Sequence, residues 1–208
     1  WSIAGYFIGC IIAIAMGSKG VHLKYLFSMG FVLIGLSSLF MYFEVQTDGL
    51  YERMKYPVII RSAGMMLLYS LTAVHANQRM PYKYLSTWIC IMLTVRMVLG
   101  PGAGTAIYTN VMQHRQQHYV TRFAHDMDQL NTEVAASYNQ TVQGMMYQGK
   151  SEKEAHNMAA LSTKGRVQVQ ATLAAVKEMS GWTFYGCMAC AVLMLVIPWR
   201  KRKLDLQT

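Results

Sequence analysis

Charge is scarce in this chain. Asp, Glu, Lys and Arg make up 14% of its 208 residues, against roughly 25% in soluble domains, and this shortage excludes an ordinary soluble fold. No carboxylate falls inside any of the long apolar runs. The four cysteines, Cys10, Cys90, Cys187 and Cys190, all lie within those runs, which excludes a disulfide framework. Cys187-x-x-Cys190 has metal-like spacing, but it lacks a second pair or a nearby His, so no metal site is expected. His114 and His118, one helical turn apart, lack the Glu of a hydrolase motif and fit a solvated face. The chain has no nucleophile elbow, no phosphate-cradling glycine loop and no kinase signature, so neither an enzyme nor a cofactor is expected. The net charge of +9 is not gathered on one polar segment with interleaved aromatics, and nucleic acid is not an expected partner.

What is present is apolar length. Crossing a bilayer takes roughly 20 apolar residues, and the spans expected from the sequence are 1–17, 25–43, 57–76, 84–110 and 182–199. The chain opens at Trp1 inside an apolar run, with no basic n-region and no cleavage site. We therefore expect a first helix that has lost its beginning. Lys and Arg concentrate in the turns 17–24 and 77–83 and in the tail 200–208, which places those segments in the cytoplasm. The mixed loop 44–56 and the long segment 111–181 then face outside. The lipid bilayer is the first expected partner.

The fourth run, Tyr84 to Asn110, carries Arg96 near its middle, and a guanidinium in hydrocarbon costs about 2.5 kcal/mol or more unless it finds a partner or water. Arg96 is therefore a candidate pathway or gating residue, or else a tie to a helix-end carbonyl. Arg61, one turn inside the third span, is a second candidate and could equally snorkel to the interface. Gly100, Pro101, Gly102, Gly104 and Thr105 predict a kinked and closely packed helix. Pro101 removes the donor for the Met97 carbonyl, and the missing side chains admit another backbone.

The outer segment is patterned. Tyr119, Phe123, Met127, Leu130, Val134, Tyr138, Val142 and Met145 recur every three or four residues, predicting an amphipathic helix from Met112 to Gln148 that Gly149 ends. Ser151 and Glu154 form a capping box that starts a second helix. Ala155, Met158, Leu161, Val169, Leu173 and Val176 give this helix an apolar stripe. With no proline from Lys150 to Ile197, the second helix is expected to continue into the last span. The fold expected is thus all-α and membrane-integral, with four spans in 1–110, an extracytoplasmic helical hairpin over 111–181, a last span and a basic tail.

Arg61-Ser-Ala-Gly64-Met, followed by Arg96-x-x-x-Gly100-x-Gly102-x-Gly104-Thr105-Ala106, a long outer segment and a final span, resembles the C-terminal part of the EmrB-like drug:proton antiporters. These are fourteen-helix members of the major facilitator superfamily. Ser62 stands where that family often has Gly, and Pro101 is not usual in its Arg-Gly stretch. The resemblance implies about five helices of a superfamily C-terminal half in a bacterial inner membrane, a missing N-terminal transmembrane half that carries most coupling acids, and a hydrophobic small-molecule substrate exported by alternating access. It also implies a periplasmic adaptor and an outer-membrane channel as partners. Phe123, Leu130 and Tyr138 are the candidate adaptor contacts, with packing inside the protein as the other use of the same stripe. A reading from a different class is a membrane-anchored interaction or sensor protein whose outer helices bind a partner.

Overall fold

The computed structural model describes residues 1–19, 21–45, 52–77, 81–126 and 132–197. Among these, 92% are helical and none lies in a strand. Seven α-helices are described: α1 (Ser2–Ser18), α2 (Leu23–Glu44), α3 (Lys55–Asn77), α4 (Leu85–Thr94), α5 (Gly100–Asp126), α6 (Thr132–Tyr147) and α7 (Glu152–Val196). A 3-10 turn at Tyr82–Tyr84 precedes α4, and a π-helical turn at Val95–Leu99 follows it. Four helical stretches, Leu23–Glu44, Lys55–Val74, Leu85–His125 and Glu152–Val196, are long and apolar enough to cross a membrane, and α1 is a shorter apolar helix. At 1.5 Å per residue the 22 residues of α2 span roughly 33 Å, enough for a hydrocarbon core of about 30 Å.

The chain divides into two compact units. The first holds residues 1–44, 48–94 and 180–208, and the second holds 45–47 and 95–179. Each is described by itself.

In the first unit α3 is the central helix, with α1 and α2 packed on it. The contacts depend on absent side chains. A Cβ on Gly9 would lie 2.5 Å from the Ala63 carbonyl oxygen, and one on Gly5 would collide with the Ile59 carbonyl oxygen. On the other side of α3, a Cβ on Gly64 would lie 2.9 Å from the Gly30 carbonyl oxygen. Close backbone approach of this kind is how membrane helices gain contact where lipid is as apolar as the side chains. Leu26, Phe27, Leu67 and Leu71 form the buried cluster beside these contacts, joined by Met194 of α7.

Pairing of successive residues fixes direction. Gly5 meets Ile59 and Ser62, and Gly9 meets Ala63 and Met66, so α1 and α3 run parallel. Ser37 donates to the Pro57 carbonyl at 2.7 Å while Gly30 meets Leu68, so α2 runs antiparallel to α3. Gly35 of α2 meets Phe184, Cys187 and Met188, and Tyr42 meets Gly181, so the end of α7 is antiparallel to α2. The ends of α1, α3 and α7 and the start of α2 therefore share one face of this unit. Ser18 and Leu23, which flank the first basic turn, lie there; the basic tail 200–203 is outside the described residues.

Hydroxyls in these helices return to their own backbone. Ser38 donates to Ile34, Ser62 to Val58, Ser70 to Met66 and Thr72 to Leu68. Each donor is thereby satisfied without water, as hydrocarbon requires.

Candidate functional site

The second unit is chiefly the helical segment 95–179. Its α6–α7 turn is built from the residues the sequence singles out. Gly149 has φ +83, and Gly149 N–H donates to Met146 at 2.9 Å and Lys150 N–H to Met145 at 3.3 Å. That pair of bonds closes α6 as a Schellman motif, whose left-handed position favours glycine. The capping box forms in both directions: Ser151 N–H donates to Glu154 at 3.3 Å, and Glu154 N–H donates to Ser151 Oγ at 3.4 Å. From Glu152, α7 runs 45 residues without a break, through the position where the sequence places the start of the last span.

One boundary differs from expectation. The helix that begins at Gly100 passes through Asn110, the expected end of the fourth span, and continues to Asp126. A membrane surface changes the polarity a helix needs but not its hydrogen bonding, so no helix end is required there. The single arm expected from Met112 to Gln148 is described as α5 and α6, with 127–131 outside the described residues. Leu130 and Met127 lie in that interval.

The face by which α7 packs also differs. Ala155, Ala159, Ala171 and Ala175 are 0% exposed, and Val167 is buried with them, whereas Leu161 is 69% exposed and Met158 and Val169 are also exposed. Of the expected stripe, Ala155 is buried and Leu173 and Val176 are half-buried, so the correction concerns Met158, Leu161 and Val169, whose places on the packed face are taken by Ala159, Val167, Ala171 and Ala175. Methyl groups let α7 approach its neighbours closely, and those three larger residues stay on the outside. Val142, Tyr138 and Met145 of α6 pack on Ala155 and Ala159.

Polar side chains cross between α5 and α7. Gln116 Nε2 donates to Thr172 Oγ1 at 2.7 Å, Tyr119 Oη donates to Glu178 Oε2 at 3.2 Å, and Arg115 lies 3.5 Å from Glu178. Burial pushes the Tyr119 phenol above its usual pKa. Its hydrogen bond and the negative charge of Glu178 add to the rise, and Arg115 and Arg122 oppose it. The bond between Glu178 and the Arg115–Tyr119 pair was not singled out from the sequence. Its available signal was an acid four residues before the last apolar run and a basic residue five after the fourth.

The candidate residues fall in separate places. Arg61 is exposed on α3 beside buried Ser62, Ala63 and Gly64. Arg96 is exposed on the π-helical turn. Gly100 and Pro101 follow the π-helical turn inside the continuous helical stretch Leu85–His125, so Pro101 withholds an interior backbone donor there. A Cβ on Gly102 or Gly104 would meet nothing within 4 Å, and Thr105 is exposed. The close glycine contacts are instead those of Gly5, Gly9, Gly30 and Gly64. Phe123 stacks on Tyr119 with ring centroids 5.9 Å apart. The Tyr138 hydroxyl lies 3.2 Å from both the His156 ring and the His156 carbonyl. Both aromatics are engaged within the chain. Cys187 is half-buried and Cys190 exposed on the last apolar run.

Hollows lie among the described residues of the second unit. One, of about 450 Å³, is lined by His118, Thr121, Arg122 and His125 on one face of α5. Another, of about 580 Å³, lies among α5, α6 and α7, and its lining surface is mostly apolar, with Thr163, Lys164 and Gln168 among the residues that form it.

No family model, curated protein or solved structure matches this chain. The class that its helices define is a protein with several segments long and apolar enough to cross a membrane.

Proposed function

We propose that this chain is the C-terminal part of a proton-coupled exporter of hydrophobic or amphipathic small molecules, resembling the EmrB-like antiporters and working by alternating access in a bacterial inner membrane. The observation that carries the reading is the order of parts. An Arg-Ser-Ala-Gly stretch lies on one apolar helix and an Arg-x-x-x-Gly-x-Gly-x-Gly stretch on the next. A long helical excursion then leads into a final apolar run on the same helix, α7. The exposed apolar faces of α1 and α4 suit contact with lipid or with an N-terminal half. In this reading the hairpin faces the periplasm, where an adaptor leading to an outer-membrane channel contacts its outer surface. Arg96, whose charge sits where the helical pattern changes to π, lines or gates the pathway; π turns recur at functional sites.

The test uses the full-length protein in inverted membrane vesicles. An imposed pH gradient should drive uptake of a fluorescent amphipathic cation, and Arg96→Ala should reduce it more than it reduces the amount of protein. Arg96→Lys should restore only part, because an ammonium does not reproduce a guanidinium fork. Vesicles that respond to no pH gradient with any amphipath tested contradict the exporter reading. A second reading, a membrane-anchored interaction protein, is favoured by one observation: α5 and α7 both run from apolar sequence into the outer segment without a break.

A further inference from the structure

The buried positions of α7 advance by fours: Ala155 and Ala159, then half-buried Thr163, then Val167, Ala171 and Ala175. On a helix of 3.6 residues per turn, each step of four overshoots a full turn by about 40°. The buried stripe therefore winds around the helix. Ala155 and Ala159 face Val142 of α6, whereas Thr172, beside Ala171, bonds to Gln116 of α5. Between 159 and 167 the stripe leaves one neighbour before it has reached the other. The hollow of about 580 Å³ lies at this crossover, lined by Ala160, Thr163, Lys164 and Val167 of α7 and by Val120 and Ala124 of α5. Tyr138 of α6, held by His156, closes another side.

We infer that this hollow is a binding site for an amphipathic organic anion, a molecule with a compact apolar body and one carboxylate, sulfonate or phosphate. Its volume falls within the roughly 300–1,000 Å³ of small-molecule sites, which are mostly apolar with a few placed polar groups, and such sites form between bundle helices. The small side chains of Ala124 and Ala160 leave room for the apolar body. Lys164 is the cation on the rim, and the described lining residues include no carboxylate to neutralise it. The Thr163 hydroxyl and the Gln168 amide offer further hydrogen bonds to an acidic group. A cationic amphipath of the same size would meet Lys164 unfavourably, so the site selects by charge. The inference stands on the hairpin alone and does not depend on transport.

The test uses the full chain in nanodiscs of zwitterionic lipid, with anilinonaphthalene sulfonate as the probe and empty nanodiscs as the baseline. The parent should show saturable fluorescence. Lys164→Gln should weaken binding about tenfold, the scale of one charge-assisted hydrogen bond, and Lys164→Arg should retain it. Uncharged N-phenylnaphthylamine, the same ring system without the sulfonate, should displace the probe equally well in parent and Lys164→Gln. Ala160→Phe should remove the saturable component, and Ala124→Phe, which fills the hollow from the opposite wall, should do the same should the first variant unfold. A parent with no saturable component, or one unchanged by both Phe substitutions, overturns the site. Equal sulfonate affinity in parent and Lys164→Gln overturns its anion selectivity.

Discussion

Where α3 meets α1 and α2, the contacts are made by glycine backbone; where α7 meets α5 and α6, they are made by alanine methyls, with Gln116, Tyr119 and Arg115 reaching across to Thr172 and Glu178. The difference follows the solvent each region is suited to. Lipid gives apolar side chains no reason to leave it, so helices there associate through dispersion at very short range, and glycine allows the closest approach. Water drives apolar burial of itself, and methyl groups suffice for it, which fits the α5–α7 contacts with the proposed placement of 111–181 outside the membrane. Polar cross-links between helices can form there because exchange with water offsets their desolvation.

The largest expected effect comes from filling a glycine contact. Gly9→Leu or Gly64→Leu should destabilise the protein by about 3 kcal/mol or more, since backbone and not a flexible side chain stands in the way. Thermal unfolding in detergent would measure it. Gly102→Ala should instead be neutral or stabilise by up to about 1 kcal/mol, because it replaces a helical glycine in open space. Equal damage from Gly64→Ala and Gly102→Ala would break the comparison and show that the 100–104 stretch packs against a partner.

In the hairpin, Ala171→Leu should cost about 1–3 kcal/mol by overpacking, while Leu161→Ala should stay within about 0.5 kcal/mol. The reverse order would return the buried face to the larger side chains. A smaller effect is expected at Glu178. Its pairing with Arg115 is partly exposed, so a double-mutant cycle of Glu178→Gln with Arg115→Ala should give less than about 1 kcal/mol. A coupling of several kcal/mol would mean that this ion pair, and not the alanines, holds α5 to α7.

The smallest effect concerns alkaline pH. Burial raises the Tyr119 pKa from its usual 10.0, so the unfolded chain ionises first as pH rises. Tyr119 then contributes stability below about pH 10 that is lost as pH climbs through the folded value. In Tyr119→Phe the alkaline loss should be shallower, read from phenolate absorbance and unfolding together. A Tyr119→Phe profile identical to the parent would remove Tyr119 from the α5–α7 contact.

Much of this architecture is legible in the sequence because the signals are local. Apolar length marks the membrane-scale helices, Gly149 and the Ser151–Glu154 pair mark the turn, and the proline-free stretch after Lys150 marks the continuity of α7. The parts that escape are relational. An alanine stripe is visible as spacing, but the larger Met158, Leu161 and Val169 outweigh it in any reading by hydrophobicity, although close packing prefers the smaller side chain. Gly5, Gly9, Gly30 and Gly64 lie apart in the chain, and only the helix pairing shows that each faces a backbone. The denser Gly100–Gly104 cluster is conspicuous in sequence, yet its Gly102 and Gly104 face open space. The crossover hollow follows from a four-residue spacing meeting a 3.6-residue helix, and it needs the positions of α5 and α6 before it can be seen. The candidate pathway residues Arg61 and Arg96 were visible as charges in apolar runs, but not their placement on different units.

The proposed topology, in which 111–181 lies outside the membrane, is tested most directly by accessibility. Single cysteines at Ser18, Ser151 and Thr208, in a background lacking Cys10, Cys90, Cys187 and Cys190, are exposed in intact cells to a thiol reagent that does not cross membranes. The account predicts reaction at Ser151 and protection at Ser18 and Thr208 until the membrane is opened. Reaction at Ser18 with protection at Ser151 would invert the bundle, and equal reaction at all three positions in intact cells would contradict a membrane-spanning arrangement altogether.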